Sequence, residues 1–178
     1  MEKQVAMNRF LADVEGRALR IAEIATGNRE DAMELVQEAM LQLVQRYGRK
    51  ATDDWPPLFH RILQSRIRDW YRRQTVRNRF KGWLGFGEND VDDPIANHPD
   101  RPALGPSARL EAHDFGRELE AALNALPLRQ QQAFLLRSWE GFDVQQTATA
   151  MGCSQGSVKT HYSRAIHTLR HKLKDVRW

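Results

Sequence analysis

Only one cysteine, Cys153, occurs in the 178 residues, so no internal disulfide framework can form, and the chain suits a reducing compartment. Long apolar runs are missing as well. The opening stretch MEKQVAMNRF lacks the continuous apolar centre of a secretory signal, and no later run approaches membrane-spanning length. The expectation is a soluble, cytoplasmic chain with no direct membrane insertion. There is no repeat period, no low-complexity tract and no convincing strand-period alternation. Catalytic signatures are absent too: no GxxxxGK[ST], no HExxH, no GxSxG and no cysteine cluster. His167 and His171 stand four apart, a spacing a helix could offer to a metal, but no third ligand accompanies them. No catalytic residue, metal or cofactor is therefore expected. The overall charge is nearly balanced, with 27 Lys and Arg against 23 Asp and Glu, so a polyanion partner would show only in how the cations cluster.

What is present is helical periodicity almost throughout. A first helix over about 7–25 places Val14, Ala18, Ile21, Ala22 and Ala25 on one face. Gly27 suits its C-terminal cap, and Asn28 can cap the next helix. That second helix runs to Tyr47 with Leu35, Val36, Ala39, Met40, Leu43 and Val44 inward, and with Glu30, Asp31 and Glu34 in its first turns, where the macrodipole favours acids. After a polar loop over 48–57, a third helix carries Leu58, Phe59, Ile62, Leu63, Ile67, Trp70 and Tyr71. These three helices can share one core, a first domain over 1–77. The stretch 82–100 has no Lys or Arg, five acids and scattered Gly and Pro, so 78–107 reads as a flexible linker. A second domain over 108–178 begins with inward Leu110, Phe115, Leu119, Ala122, Leu123 and Leu126. Pro127 then opens a helix that Gly141 closes; Asp143 and Gln146 form a capping-box pattern, and Ser154 can cap a long last helix after Gly152. The fold class is all-α: two small helical domains joined by a flexible linker, the C-terminal one a helix-turn-helix.

Two clusters carry the chemistry. Over 141–173, a short helix, a glycine turn and a longer helix with a basic outward face follow the helix-turn-helix plan, which sets the start of the second helix in the major groove. Its outward positions are Gly156, Ser157, Lys159, Thr160, Ser163 and Arg164: small polar residues that let the backbone approach, and cations that reach phosphates and base edges. A helical hairpin with a solvated basic face is the plain alternative. Over 61–81 lie Arg61, Arg66, Arg68, Arg72, Arg73, Arg77, Arg79 and Lys81 against Asp69 alone, a net +7. Arginine favours planar, bidentate phosphate contacts and stacking on bases, and nearby aromatics suit single-stranded nucleic acid. Trp70 and Tyr71 fit a core position better than a base platform, whereas Trp55, in the loop before Pro56 and Pro57, fits either. Outside the apolar stripe, Glu34, Gln37 and Glu38 make a polar face that is either solvated or a partner's dock.

These segments together resemble the extracytoplasmic-function class of bacterial RNA polymerase sigma factors over nearly the whole chain. DAMELVQEAMLQLVQRY (31–47) is similar to the family's region 2.2. LFHRILQSRIRDWYRRQ (58–74) is similar to the end of region 2.3 and region 2.4. The stretch 123–173, with Leu-Pro, Trp-Glu-Gly, Gly-x-Val-Lys and Arg-Ala, is similar to region 4. The resemblance implies that Asp31, Glu34, Gln37 and Glu38 bind the clamp helices of the core polymerase's largest subunit. It implies that Trp55, Arg61, Ser65, Arg66, Arg68, Asp69, Arg72 and Arg73 read and help to open the −10 element. It gives the −35 element to Gly156, Ser157, Lys159, Thr160, Ser163 and Arg164, with Arg137 clamping phosphate from the preceding helix. The acidic linker would thread through the polymerase, and an anti-sigma factor is a further partner that the family allows. Ser65, where many relatives have Asn, and Gln146-Thr147, where many have an acidic-aliphatic pair, bear on the promoter sequence rather than the architecture. The apolar stretch 80–86 has no family-level account. The rival readings are a stand-alone helix-turn-helix regulator, which leaves 31–47 and 58–74 without a purpose, and a nucleic-acid-processing enzyme, which needs a catalytic constellation.

Overall fold

The computed structural model describes residues 1–84 and 114–174, with the side chains of Asp114 and Phe115 left aside. The linker from residue 85 on, Leu110 and the Phe115 side chain fall outside that description, as do Phe86, Asp175 and Arg177. Among the described residues there are helices and no strands: α1 (Glu2–Thr26), α2 (Arg29–Tyr47), α3 (Trp55–Trp83), α4 (Asp114–Asn124), α5 (Leu128–Phe134), α6 (Val144–Met151) and α7 (Gln155–Lys172).

Local chemistry sets most of these boundaries. α1 stops because Gly27 takes a left-handed φ of 67°, and its N–H donates to Glu23 O at 2.8 Å. α2 starts where the Asn28 side chain accepts from the Asp31 N–H at 3.0 Å. Pro56 and Pro57 sit in the first turn of α3, where a missing N–H costs nothing. α1 begins at Glu2, five residues before the expected start. α3 runs on to Trp83, into the stretch read as linker, because Gln, Arg, Asn and Lys carry the helix until Gly82.

α1, α2 and α3 form one bundle around Ile21, Ile24, Leu35, Leu43, Phe59, Leu63 and Ile67, each at most 3% exposed. Val44, expected on the inner stripe, is 46% exposed: α1 and α3 cover only the Leu35, Val36, Ala39 and Leu43 line of α2. α4 to α7 form the second bundle. α5 does not continue as an α-helix to Gly141. It opens into a π-type turn over Leu135–Trp139, where Glu140 N–H donates to Leu135 O at 3.1 Å, five residues back. That wider turn leaves Trp139 outward and brings Glu140 inward. Leu123, Leu126, Leu128, Leu135, Ala165 and Leu169 of the second bundle join the same buried cluster as the first. A smaller cluster, with Leu136, Phe142, Ala150, Met151 and Val158, sits inside the helix-turn-helix itself.

Candidate nucleic-acid interface

The helix-turn-helix is built by three caps in sequence. The Asp143 carboxylate accepts from the Gln146 N–H at 2.7 Å, while the Gln146 side chain accepts from the Asp143 N–H at 3.0 Å, so the expected capping box is complete. Gly152 ends α6 at φ 63°, a conformation that any Cβ would strain. Ser154 Oγ then accepts from the Ser157 N–H at 3.1 Å and starts α7. Met151, Val158 and Ala165 are fully buried and fix the angle between the two helices. This framework leaves Gly156, Lys159, Thr160, Ser163 and Arg164 exposed on one face, with Ser157 half-buried beside its cap. Arg137 donates to Phe142 O at 2.7 Å, and its guanidinium lies 5.4 Å from the centre of the Tyr162 ring, so its head is held at the edge of the same face. His161, between Lys159 and Arg164, has its pKa lowered by burial and by the nearby Arg129 and Arg164 charges. It therefore stays uncharged near neutral pH and adds nothing to the cationic field.

The arginine row on α3 divides in two. Arg72 and Arg73 are exposed, and Arg72 pairs with Asp69 at 3.3 Å. In the first half, Arg66 and Arg68 are held by protein. Arg66 bonds Glu38 and, at 2.8 Å, Gln42 Oε1, tying α3 to α2. Arg68 donates to Met151 O at 2.9 Å, at the end of α6, and Arg129 donates to the same oxygen at 2.9 Å. Burial and the adjacent Arg129 charge both lower the Arg68 pKa. Arg61 is exposed, at the edge of an open cleft that Gln145, Thr149, Gly152 and Cys153 of the helix-turn-helix also line. Ser65 is half-buried between these groups. Trp55 is a correction. It is 1% exposed, its ring lies 6.0 Å from Phe10, and its indole N–H donates to Tyr47 O at 3.1 Å. A large amphipathic ring next to an apolar core, with a carbonyl available to its one donor, goes inward. Trp55 therefore anchors the 48–57 loop and offers no stacking face. Trp70 is half-buried, edge-on to Tyr71, and donates to Asp31 Oδ2 at 3.1 Å.

On α2, Glu34 and Gln37 are exposed, Glu38 is engaged by Arg66 and Asp31 by Trp70. The same helix exposes Met33, Leu41 and Val44 at 44%, 62% and 46%, a line of apolar residues at helical spacing with Gln37 between them. Sequence reasoning passed over Met33 and Leu41. The available signal was that both are large apolar residues lying off the stripe that packs inward. A second exposed apolar line, Val76, Phe80, Trp83 and Leu84, runs along the end of α3.

Compared with known proteins, residues 116–169 match the family model described as sigma-70, region 4. The RNA polymerase sigma-E factor of Streptomyces coelicolor is 31% identical over 156 residues, 87% of this chain and 78% of that protein. The chain belongs to the RNA polymerase sigma factors. Its class is the extracytoplasmic-function one: the ECF RNA polymerase sigma factor SigX of Bacillus subtilis is 29% identical over 149 residues, 81% of this chain and 71% of that one. The fold agrees. A solved structure of the sigma factor RpoE in complex with the anti-sigma factor NepR from Bartonella quintana superposes with a TM-score of 0.62 at 24% identity, over 96% of this chain and 98% of that one.

As a sigma factor, the protein directs RNA polymerase to promoters at initiation. In this sigma factor the Trp-Glu-Gly hallmark of region 4 has a local reason. Gly141 has φ 70°, which lets the chain turn out of the π-type turn, and Glu140 is left against the first bundle with its side chain 5% exposed. There it lies 3.2 Å from Arg17 Nε and 3.3 Å from His60 Nε2. Burial pushes the Glu140 carboxyl up, but His60, and then Arg17, outweigh it and hold the group below the usual carboxylate range. No helix among the described residues is long and apolar enough to cross a membrane, and no group of three or more His, Cys, Asp or Glu there could hold a metal.

Proposed function

We propose that residues 1–77 act as region 2, residues 108–178 as region 4 and residues 78–107 as the connection between them, with each reading surface made of the residues named for it. Lys159, Thr160, Ser163 and Arg164 read the −35 element in the major groove, Gly156 and Ser157 let the backbone come close, and Arg137 holds phosphate. Arg61, Ser65, Arg66, Arg68, Asp69, Arg72 and Arg73 form the −10 surface on α3, with Trp55 supporting it from the core. The polymerase clamp helices take α2 at Glu34, Gln37 and Glu38, with Met33, Leu41 and Val44 supplying apolar contact. Asp31 orients this surface through Trp70. The observation that carries the reading is the exposed face of α7: five small or cationic residues displayed at the start of a helix whose entry is fixed by the Gly152 and Ser154 caps.

The protein works by positioning, with no chemistry of its own, in the cytoplasm, where polymerase and promoters are. A regulator of the anti-sigma kind is a partner by analogy with the solved relative, which was captured with one. The test is run-off transcription with core polymerase on genomic templates, followed by sequencing of the 5′ ends. Promoter-specific starts that neither component gives alone are expected. If core polymerase yields the same transcripts with and without the protein, the proposal is wrong. Substituting Lys159→Ala or Arg164→Ala should weaken −35 protection, whereas unchanged footprints would remove those residues from the interface.

A further inference from the structure

The sequence sets aromatics among the arginines of α3, and folding withdraws the nearest of them. Trp55 goes into the core, and Trp70 and Tyr71 meet edge-on against the first bundle. Two others come forward at the far end of the same helix. Phe80 and Trp83 are 61% and 83% exposed, with Val76 and Leu84 exposed beside them. From Val76 to Leu84 every residue except Gly82 is exposed, so this end of α3 has no buried face. At about 100° per residue, the four apolar side chains fall within an arc of roughly 100°. That arc continues the outward edge of Ser65, Asp69 and Arg72 for about 16 Å beyond Arg72, at about 1.5 Å per residue. Exposed cations border it on both sides, Arg72 and Arg79 on one and Arg77 and Lys81 on the other.

Between Arg72 and Leu84 there are five Lys or Arg and no acid. Four of the five are arginines, whose planar heads pair with phosphate and stack on flat rings. The Phe80 and Trp83 rings lie 6.5 Å apart with their planes 35° from parallel, so they form one aromatic platform inside the cationic border. A second copy of the chain would bring like charges together along both flanks. A closed duplex offers phosphates to the arginines but keeps the faces of its bases stacked away. An opened strand offers both a phosphate backbone and unstacked bases, each with a face that suits an aromatic ring. An anionic bilayer also takes cations with Trp and Phe, but it gives no reason for the platform to continue the edge that reads the −10 element.

We propose that the outward face of residues 76–84 is a single-strand-binding platform, with Phe80 and Trp83 at its centre and Arg77, Arg79 and Lys81 around it. It holds unpaired bases beside the −10 element once the duplex has opened. The rings stack on the bases, and the cations hold the backbone. The platform takes the stacking role that the buried Trp55 cannot. The inference rests on the assignment of the α3 edge to the −10 element.

The test reads binding of the full chain, without polymerase, to a labelled oligothymidine single strand by fluorescence anisotropy. Phe80→Ala and Trp83→Ala should each weaken binding roughly tenfold, whereas Trp83→Phe should keep most of it. Trp83→Leu keeps apolar area without a ring and should behave like Trp83→Ala. Both side chains are exposed, so circular dichroism should show the same helix content in every variant. With core polymerase, the double variant Phe80→Ala, Trp83→Ala is expected to initiate several-fold less on a closed promoter and to recover on one melted beforehand over −10. Unchanged single-strand binding in the alanine variants would overturn the proposal, as would a Trp83→Leu variant that binds like the unmodified chain. Alanine variants that lose binding to phosphatidylglycerol vesicles, but not to the strand, would overturn it and give the face to a membrane surface. An unmodified chain that yields no promoter-specific transcript overturns the −10 assignment of the edge instead, and anisotropy still decides whether the platform binds a single strand.

Discussion

Along α7, Lys159 and Arg164 stand exposed on a helix whose buried side is Val158, Ala165 and Leu169, whereas along the first half of α3 the cations Arg66 and Arg68 are bonded to other parts of the chain. Both helices are basic on paper. Clustered charge predicts a polyanion partner, but it does not say whether the charge is on offer in the free molecule. On α7 the buried side is apolar, which leaves Lys159 and Arg164 uncovered. On α3 the apolar stripe binds α1 and α2, and a second, polar stripe one face round binds α6. A helix that packs on two sides has only its remaining edge for immediate contact, here Arg61, Arg72 and Arg73 and, further on, Arg77, Arg79 and Lys81.

The largest effect that would break this contrast concerns Trp55. If its role is core packing, Trp55→Ala should destabilise the first bundle by about 3–5 kcal/mol, read by urea unfolding. Trp55→Phe should keep most of the fold and still support promoter opening. A stable Phe variant that binds promoters but cannot melt them would return Trp55 to the single strand. Next in size are the exposed α7 cations. Lys159→Ala or Arg164→Ala should cost about 1–3 kcal/mol at −35 if the residue contacts a base. The loss should appear on a −35 duplex even without polymerase, since that face is uncovered.

The periodicity of the sequence makes the helices legible, because each is amphipathic and closed by a recognisable cap: Gly27, Asn28, the Asp143–Gln146 box, Gly152 and Ser154 all sit where their chemistry predicts. The α7 face was legible for the same reason, being a helix with one apolar side. Three things were not. Trp55 could go either way, since a Trp beside two prolines fits a loop platform or a core anchor until the position of Phe10 and the Tyr47 carbonyl is known. The apolar line Met33, Leu41 and Val44 was partly mistaken for core, because a stripe in sequence does not reveal how wide a neighbour will cover it. The contact between the bundles was invisible because its polar part is made by long-range pairs, Arg68 with Met151 and His60 with Glu140, that no local pattern announces.

The difference between the two halves of α3 sharpens into a salt experiment. In the free chain, Arg72→Ala or Arg73→Ala should reduce non-specific DNA binding and lower the salt slope by about one each. Arg66→Ala and Arg68→Ala should change that slope little, because both side chains are already bonded within the protein, Arg66 to Glu38 and Gln42 and Arg68 to the Met151 oxygen. Equal slopes for the two pairs in the free chain would mean that these bonds do not withhold Arg66 and Arg68 from DNA.

The smallest expected effect is the dependence on pH of the Glu140 node. Its carboxyl is held lower in the folded chain than in the unfolded one, despite burial, by His60 and then Arg17. A group depressed on folding stabilises the folded form above its unfolded pKa of about 4.3, and that contribution is lost as pH falls through the lower folded value. Urea midpoints measured downward from neutral pH should therefore drop in acid, and Glu140→Gln should flatten that drop while lowering stability at neutrality. Arg17→Ala leaves Glu140 with His60 alone, so its effect should have the same sign and be smaller, in keeping with an arginine whose side chain is 48% exposed. An acid limb identical in all three proteins would assign the acid sensitivity to other carboxylates and reduce Glu140 to a packing residue of the π-type turn.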